Sequence, residues 1–161
     1  DSDNVLRYAK NKYLKKDNNK QIYGCFHGLF ELRNDDDYIK KHGKPEENIS
    51  VYWVEFFTGK VEEQVKQCVD DFLSGFLQDK NNLKNRGKKV LPNSIFAKLN
   101  VREFKKTCEE HSAKIRIIHD AKPTKSKNKS HSSITQLPQD NPLLFDDLCA
   151  LAFKSLVSAT A

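Results

Sequence analysis

The sequence predicts an α+β fold: a small, strongly bent antiparallel sheet or partial β-barrel near residues 20–60, packed against about three helices. Three observations carry this. Residues Val51-Tyr52-Trp53-Val54-Glu55-Phe56-Phe57-Thr58-Gly59-Lys60 include seven that are β-branched or aromatic, the composition of a strand. From Val61 onward the apolar residues switch to helical spacing. Asn141-Pro142 then opens a last short helix, with Asn suited to the cap and Pro to the first turn.

Taken in order, residues 1–20 read as a basic helical lead-in. Val5, Ala9 and Tyr13 recur every fourth residue, and Lys10, Lys12, Lys15, Lys16 and Lys20 charge the rest of the surface. Gln21 to Leu32 reads as the first clear strand, with Gly24 and Gly28 marking a bulge, a bend or a close backbone approach. Asn34-Asp35-Asp36-Asp37 and Gly43-Lys44-Pro45 break the chain before the Trp53 strand, and antiparallel pairing of these two strands is the simplest topology. Alternation puts Val51, Trp53, Glu55 and Phe57 on one strand face and Tyr52, Val54 and Phe56 on the other.

Val61, Val65, Cys68, Val69, Phe72 and Phe76 form the stripe of the first helix, and Asn81 to Pro92 is a basic loop. Asn100 and Glu103 have the spacing of a capping box, opening a helix whose stripe runs Val101, Phe104, Cys108, His111, Ile115 and Ile118. Pro123 stops it, and Lys122 to Ser133 has no apolar residue and reads as a linker. The final helix buries Leu144, Phe145, Leu148, Leu151, Ala152 and Leu156. The division that follows is a lead-in at 1–20, one globular domain at 21–118, a Lys/Ser-rich linker at 119–138 and a docking helix at 139–161.

With 161 residues, 37% apolar and 31% charged, the chain suits one domain plus tails. It begins at Asp1 and lacks methionine, so it is expected to be a piece of a longer protein. The net charge of +6 points to an anionic partner, DNA or RNA first. No apolar run approaches the roughly 18 residues that span a bilayer, so no membrane partner is expected. Cys25, Cys68, Cys108 and Cys149 are widely spaced without a CxxC pair, which suggests free thiols in a reducing compartment.

Catalytic and metal patterns are sparse. Cys25 with His27, and Cys108 with His111 and His119, lack the two close ligand pairs usual for zinc. The Asp35-Asp36-Asp37 run ahead of Glu55 suggests a metal-dependent nuclease, yet Phe57 stands where such strands carry lysine. No phosphate loop, GxSxG elbow or HExxH pair occurs. The expectation is a non-enzyme with no metal and no cofactor.

WVEFFTGK, residues 53–60, resembles the second-strand signature of PWWP domains, where this segment closes one wall of a methyl-lysine cage. Gly24-Cys25-Phe26-His27-Gly28-Leu29-Phe30 stands where that family has its aromatic-Pro motif, and the helix from Asn100 resembles those that follow its barrel. The resemblance spans residues 20–118. It implies an aromatic ligand site of Phe26, Trp53 and Phe56, a methylated histone tail as partner, and nucleic-acid contacts from Lys60, Lys84, Arg86, Lys88 and Lys89. Lys125, Lys127 and Lys129 form a second basic cluster. The family continues after Lys60 with a strand, whereas the period here is helical. ISVYWVEF, residues 49–56, also resembles the third-strand aromatic signature of RNA-recognition motifs.

The expected function is therefore non-catalytic recognition of nucleic acid or chromatin in the nucleus, PWWP-like. The alternatives are an RNA-binding module of RNA-recognition-motif type and a protein-interaction scaffold that pairs through Leu143 to Val157 of the C-terminal helix.

Overall fold

In a computed structural model, which describes residues 3–78, 94–121 and 129–158, the fold is α+β. A six-stranded antiparallel sheet is built from β1 (Asn4–Ala9), β4 (Ile49–Trp53), β5 (Ile95–Asn100), β6 (Arg116–His119), β7 (His131–Thr135) and β8 (Leu156–Ser158). Their order is β6-β7-β4-β1-β5-β8. A separate hairpin joins β2 (Leu14–Lys16) to β3 (Ile22–Cys25). The helices among the described residues are α1 (Asp36–His42), α2 (Val61–Gln78), α3 (Val101–Glu110) and α4 (Pro142–Phe153).

Alternation along the strands sorts the core onto two faces. Leu6, Tyr52, Val54 and Phe96 pack with Cys68, Val69 and Phe72 of α2. Val5, Ile49, Val51, Ala97 and Leu99 face the opposite way, against α3, α4 and the β2–β3 hairpin. The central strands are thus covered on both sides, which accounts for aromatic and β-branched residues at both parities of β4. Among the described residues no helix is long and apolar enough to cross a membrane.

The helices begin where the sequence marks them. Asn100 and Asn141 accept from the amides of Glu103 and Leu144, each capping its helix. At the start of α2, Glu63 reaches back to the amide of Lys60 at 3.1 Å, and Gly59 takes φ +117 in the turn before it. Two hydrogen bonds hold α4 from different elements: His27 to Asp146 and His111 to Asp147, each at 2.6 Å.

Several expectations are corrected. The lead-in is not helical, because Asn4–Ala9 is a central strand paired with β5 along its whole length. Its every-fourth apolar pattern coexists with alternation, and the sheet uses the alternation: Leu6 and Val5 are both buried on opposite faces. The strand expected at 21–32 ends at Cys25 and pairs with β2, with a bulge beside Gly24, and not with the Trp53 strand. Gly28 lies in a 3-10 turn where an added Cβ would meet the Tyr13 ring at 2.6 Å. The Asp run opens α1, since Asp35 accepts from the amide of Tyr38 at 2.9 Å.

Residues 51–60 do not extend as one strand either. A 3-10 turn takes over at Val54–Phe56. The α3 stripe stops at Glu110, where Ser112 adopts φ 58. Ile115 and Ile117 then face the core while Ile118 is 42% exposed, a period of two that the 3-4 count concealed. The expected linker contains β7, and Ser130 just ahead of that strand is buried together with His131, Ser132 and Ser133 within it. The basic loop at 81–92 lies outside the described residues.

Candidate functional site

A cleft opens where two central strands separate. β1 pairs with β4 only at Val5 with Trp53 and Leu6 with Tyr52. Beyond that point the strands diverge, and a side chain takes over from the ladder. Arg7 donates from Nη1 to the carbonyl of Ser50 and from Nε to the carbonyl of Leu29, both at 3.0 Å. The opening has a volume of about 570 Å³ and is lined by Arg7, Lys10, Arg33, Tyr38, Ser50 and Tyr52 among others.

Arg7, Lys10, Arg33 and Lys41 outnumber Glu31 and Glu46 along the cleft walls, and burial is the largest influence on Lys10 and Arg7. Burial lowers the pKa of Lys10, and the neighbouring Arg33, Lys12 and Arg7 lower it further against an opposing pull from Glu46. Burial also pulls the Arg7 guanidinium below its ordinary value, opposed by Glu46. Arg33 lies 4.9 Å over the Tyr38 ring and pairs with Asp35 at 3.5 Å, while its amide donates to Glu46. Tyr52 has its phenol pushed up by burial, and its ring meets Phe72 edge-on at 4.9 Å. A concentration of cations with tyrosine rings along its walls suits a ligand that carries phosphate or carboxylate.

A second cavity of about 380 Å³ adjoins the first, with Ser50, Tyr38, His42 and Glu46 lining both. On its floor, His131 Nε2 lies 3.1 Å from Ser50 Oγ, and Nδ1 lies 2.8 Å from the carbonyl oxygen of Asp120. The Asp120 carboxylate stands 3.9 Å from the same Nδ1. The buried start of β7 is held separately by Asp71, which accepts from the Ser130 hydroxyl at 2.8 Å and from the amides of Ser130 and Lys129.

The sequence-predicted site residues are distributed differently. Trp53 and Phe56, on opposite faces by parity, meet at 6.0 Å because the 3-10 turn rotates Phe56 round. His119 joins them, at 5.4 Å from Trp53 and 5.5 Å from Phe56. These rings touch one another, whereas a caged cation must sit between rings within about 6 Å of each centroid. A cavity of about 240 Å³ lies beside Trp53 and His119. Phe26 is not part of this group. It is 49% exposed on the hairpin side, where Lys15 lies 5.3 Å over its ring and its carbonyl accepts from Cys149 of α4.

Lys60 stands exposed at the head of α2, and the Lys129 carbonyl is bound to His119 Nε2 at 2.8 Å. Lys84, Arg86, Lys88, Lys89, Lys125 and Lys127 lie outside the described residues. Cys25 and His27 are drawn apart in role, as are Cys108 and His111, because both histidines bind aspartates of α4. Sequence reading missed Arg7, Lys10, Arg33 and Tyr38. The available signal was Val5-Leu6-Arg7-Tyr8-Ala9, where an arginine occupies an inward position of an alternating strand. No family model, no curated protein and no solved structure matches this chain.

Proposed function

We propose that the chain is a nucleic-acid recognition module that seats phosphates of a single strand against Arg7, Lys10 and Arg33. The observation that carries this reading is the gathering of Arg7, Lys10 and Arg33 along one cleft, where the charges of Arg33 and Arg7 add to burial in lowering the affinity of Lys10 for its proton. An anionic ligand relieves that repulsion, and the net charge of +6 favours its approach. Tyr13 and Tyr38 line the same cleft and offer ring edges to bases, while Tyr8 and Tyr52 back the wall by packing on Phe72.

The test is fluorescence anisotropy with labelled single-stranded RNA, single-stranded DNA and duplex DNA at two salt concentrations. Lys10→Gln with Arg33→Gln is expected to weaken single-strand binding about tenfold and to flatten its salt dependence, by about 0.7 in log–log slope per lost phosphate contact. Trp53 emission is expected to stay unchanged, because Trp53 lies outside this cleft. Salt-insensitive binding, or unchanged affinity in the double variant, overturns the reading.

A scaffold role has one observation in its favour. Leu143 and Phe153 of α4 are 68% and 39% exposed, unusual for large apolar side chains on a helix otherwise docked to the core. Leu143→Glu is expected to abolish any self-association seen by sedimentation if that face pairs.

A further inference from the structure

We propose that Ser50 is a nucleophile activated by His131, giving the cleft an acyl-transfer activity toward esters that carry an anionic group. The hydrogen bonding of His131 sets the direction of proton movement. A carbonyl oxygen can only accept, so the Asp120 carbonyl at 2.8 Å requires the proton of the neutral ring to be on Nδ1. Nε2 then presents its lone pair to Ser50 Oγ at 3.1 Å, within the reach expected of a serine and its base. The Tyr52 ring, its centroid 5.7 Å from that of the imidazole and steeply inclined to it, packs against His131 and limits its rotation.

The serine is also placed to meet a substrate. A histidine with a purely structural role needs only a partner, but Ser50 lines both adjoining cavities on the side where β1 has separated from β4. The Arg7 guanidinium is bound to the carbonyl of the same residue at 3.0 Å, which fixes the backbone of Ser50 and brings a positive charge to its side of the cleft. Lys10 and Arg33 in the continuous cleft seat the anionic end of the acyl group.

In the step itself, Oγ attacks the ester carbonyl carbon and His131 Nε2 takes the hydroxyl proton. The carbon–oxygen bond to the leaving alcohol breaks as that proton passes to the alcohol. Water then attacks the acyl-serine with His131 again as base, releasing the carboxylic acid and restoring Ser50. Asp120 acts through His131 and is a positioning residue. Because its main-chain carbonyl makes the close bond, its carboxylate is the lesser contributor.

The experiment treats the folded chain and a urea-denatured control with an alkyl fluorophosphonate and maps the adduct by peptide mass spectrometry. The fluorophosphonate loses fluoride as Oγ bonds to phosphorus, so labelling reports nucleophilicity directly. An adduct on Ser50 of the folded chain, at least about 100-fold faster than in the denatured control, is expected. It should vanish in Ser50→Ala and fall more than about tenfold in His131→Gln, while Asp120→Asn stays within about threefold of the parent. In the ester assay, 4-nitrophenyl succinate should be turned over about tenfold faster than 4-nitrophenyl acetate, and Arg33→Gln should remove that preference. Labelling of Ser50 no faster than in urea, or labelling unaffected by His131→Gln in a folded variant, overturns the proposal. Equal turnover of the two esters overturns the anionic specificity. No nucleic acid enters these assays, so their failure leaves the phosphate-binding reading standing and its failure leaves this one.

Discussion

The guanidinium of Arg7 stands in for a missing stretch of β-ladder, donating to the carbonyl of Ser50 at 3.0 Å where β1 and β4 have parted. The same group binds the carbonyl of Leu29, so one side chain joins β1, β4 and the turn after β3. Arg7→Leu removes both donors and leaves two carbonyls unsatisfied, an expected loss of about 2–4 kcal/mol. Urea unfolding measures it. Arg7→Lys is expected to recover part of the loss, since an ammonium lacks the fork that spans two acceptors.

Asp71 fixes the entry to β7 in a comparable way, accepting from the hydroxyl and amide of Ser130 and from the amide of Lys129. Asp71→Ala is expected to cost about 2–3 kcal/mol. Hydrogen exchange gives a sharper reading than the midpoint of unfolding: the Ser130 amide should lose protection while the amides of β5 keep theirs.

Lys10 couples the cleft to pH. Burial and the cations Arg33, Lys12 and Arg7 hold its folded pKa below the ordinary value of 10.5. The folded chain therefore binds fewer protons at this site than the unfolded chain, so Lys10 opposes folding at neutral pH. Stability from this group rises as pH climbs through the folded value toward 10.5. Arg33→Gln removes a repelling charge and should move the Lys10 pKa upward, as should a bound phosphate. Carbon-detected NMR titration of the lysine side chain reads both shifts.

All four thiols are free and buried. Burial pushes Cys68 and Cys149 up to about 12 and Cys108 to about 11, and it raises Cys25 as well. Thiolate is then scarce at pH 8. Ellman's reagent is expected to titrate none of them in the folded chain within minutes and all of them in guanidinium. Rapid native reaction would mean that α4 or α2 opens readily.

What the sequence made legible follows from the range of the forces involved. The caps at Asn100 and Asn141 act within three residues, and the α2 stripe of Cys68, Val69 and Phe72 acts within two turns, so both could be read locally. β7 could not. Ser130 just ahead of it is satisfied by Asp71 and His131 at its start by Ser50 and Asp120, from other parts of the chain, and composition alone made the segment a linker. The cleft was hidden for the same reason: Arg7, Lys10, Arg33 and Tyr38 are brought together only when the hairpin and α1 fold over the separated strands. Strand parity put Trp53 and Phe56 on opposite faces and only the family resemblance grouped them; the 3-10 turn brings them together, and the third ring is His119 of β6, not Phe26.

The central place of β1 sets a schedule for folding. Asn4 pairs with Asn100 and Ala9 with Ile95, so β1 is made well before the strand it pairs with along its length. Closing such long loops costs entropy before the contacts repay it, which places this topology among the slower folders. On the ribosome, Leu6 and Val5 emerge with neither β4 nor β5 to cover them. Until residue 100 has left the exit tunnel, the apolar Val5 and Leu6 lack the β5 strand that pairs with them in the folded chain.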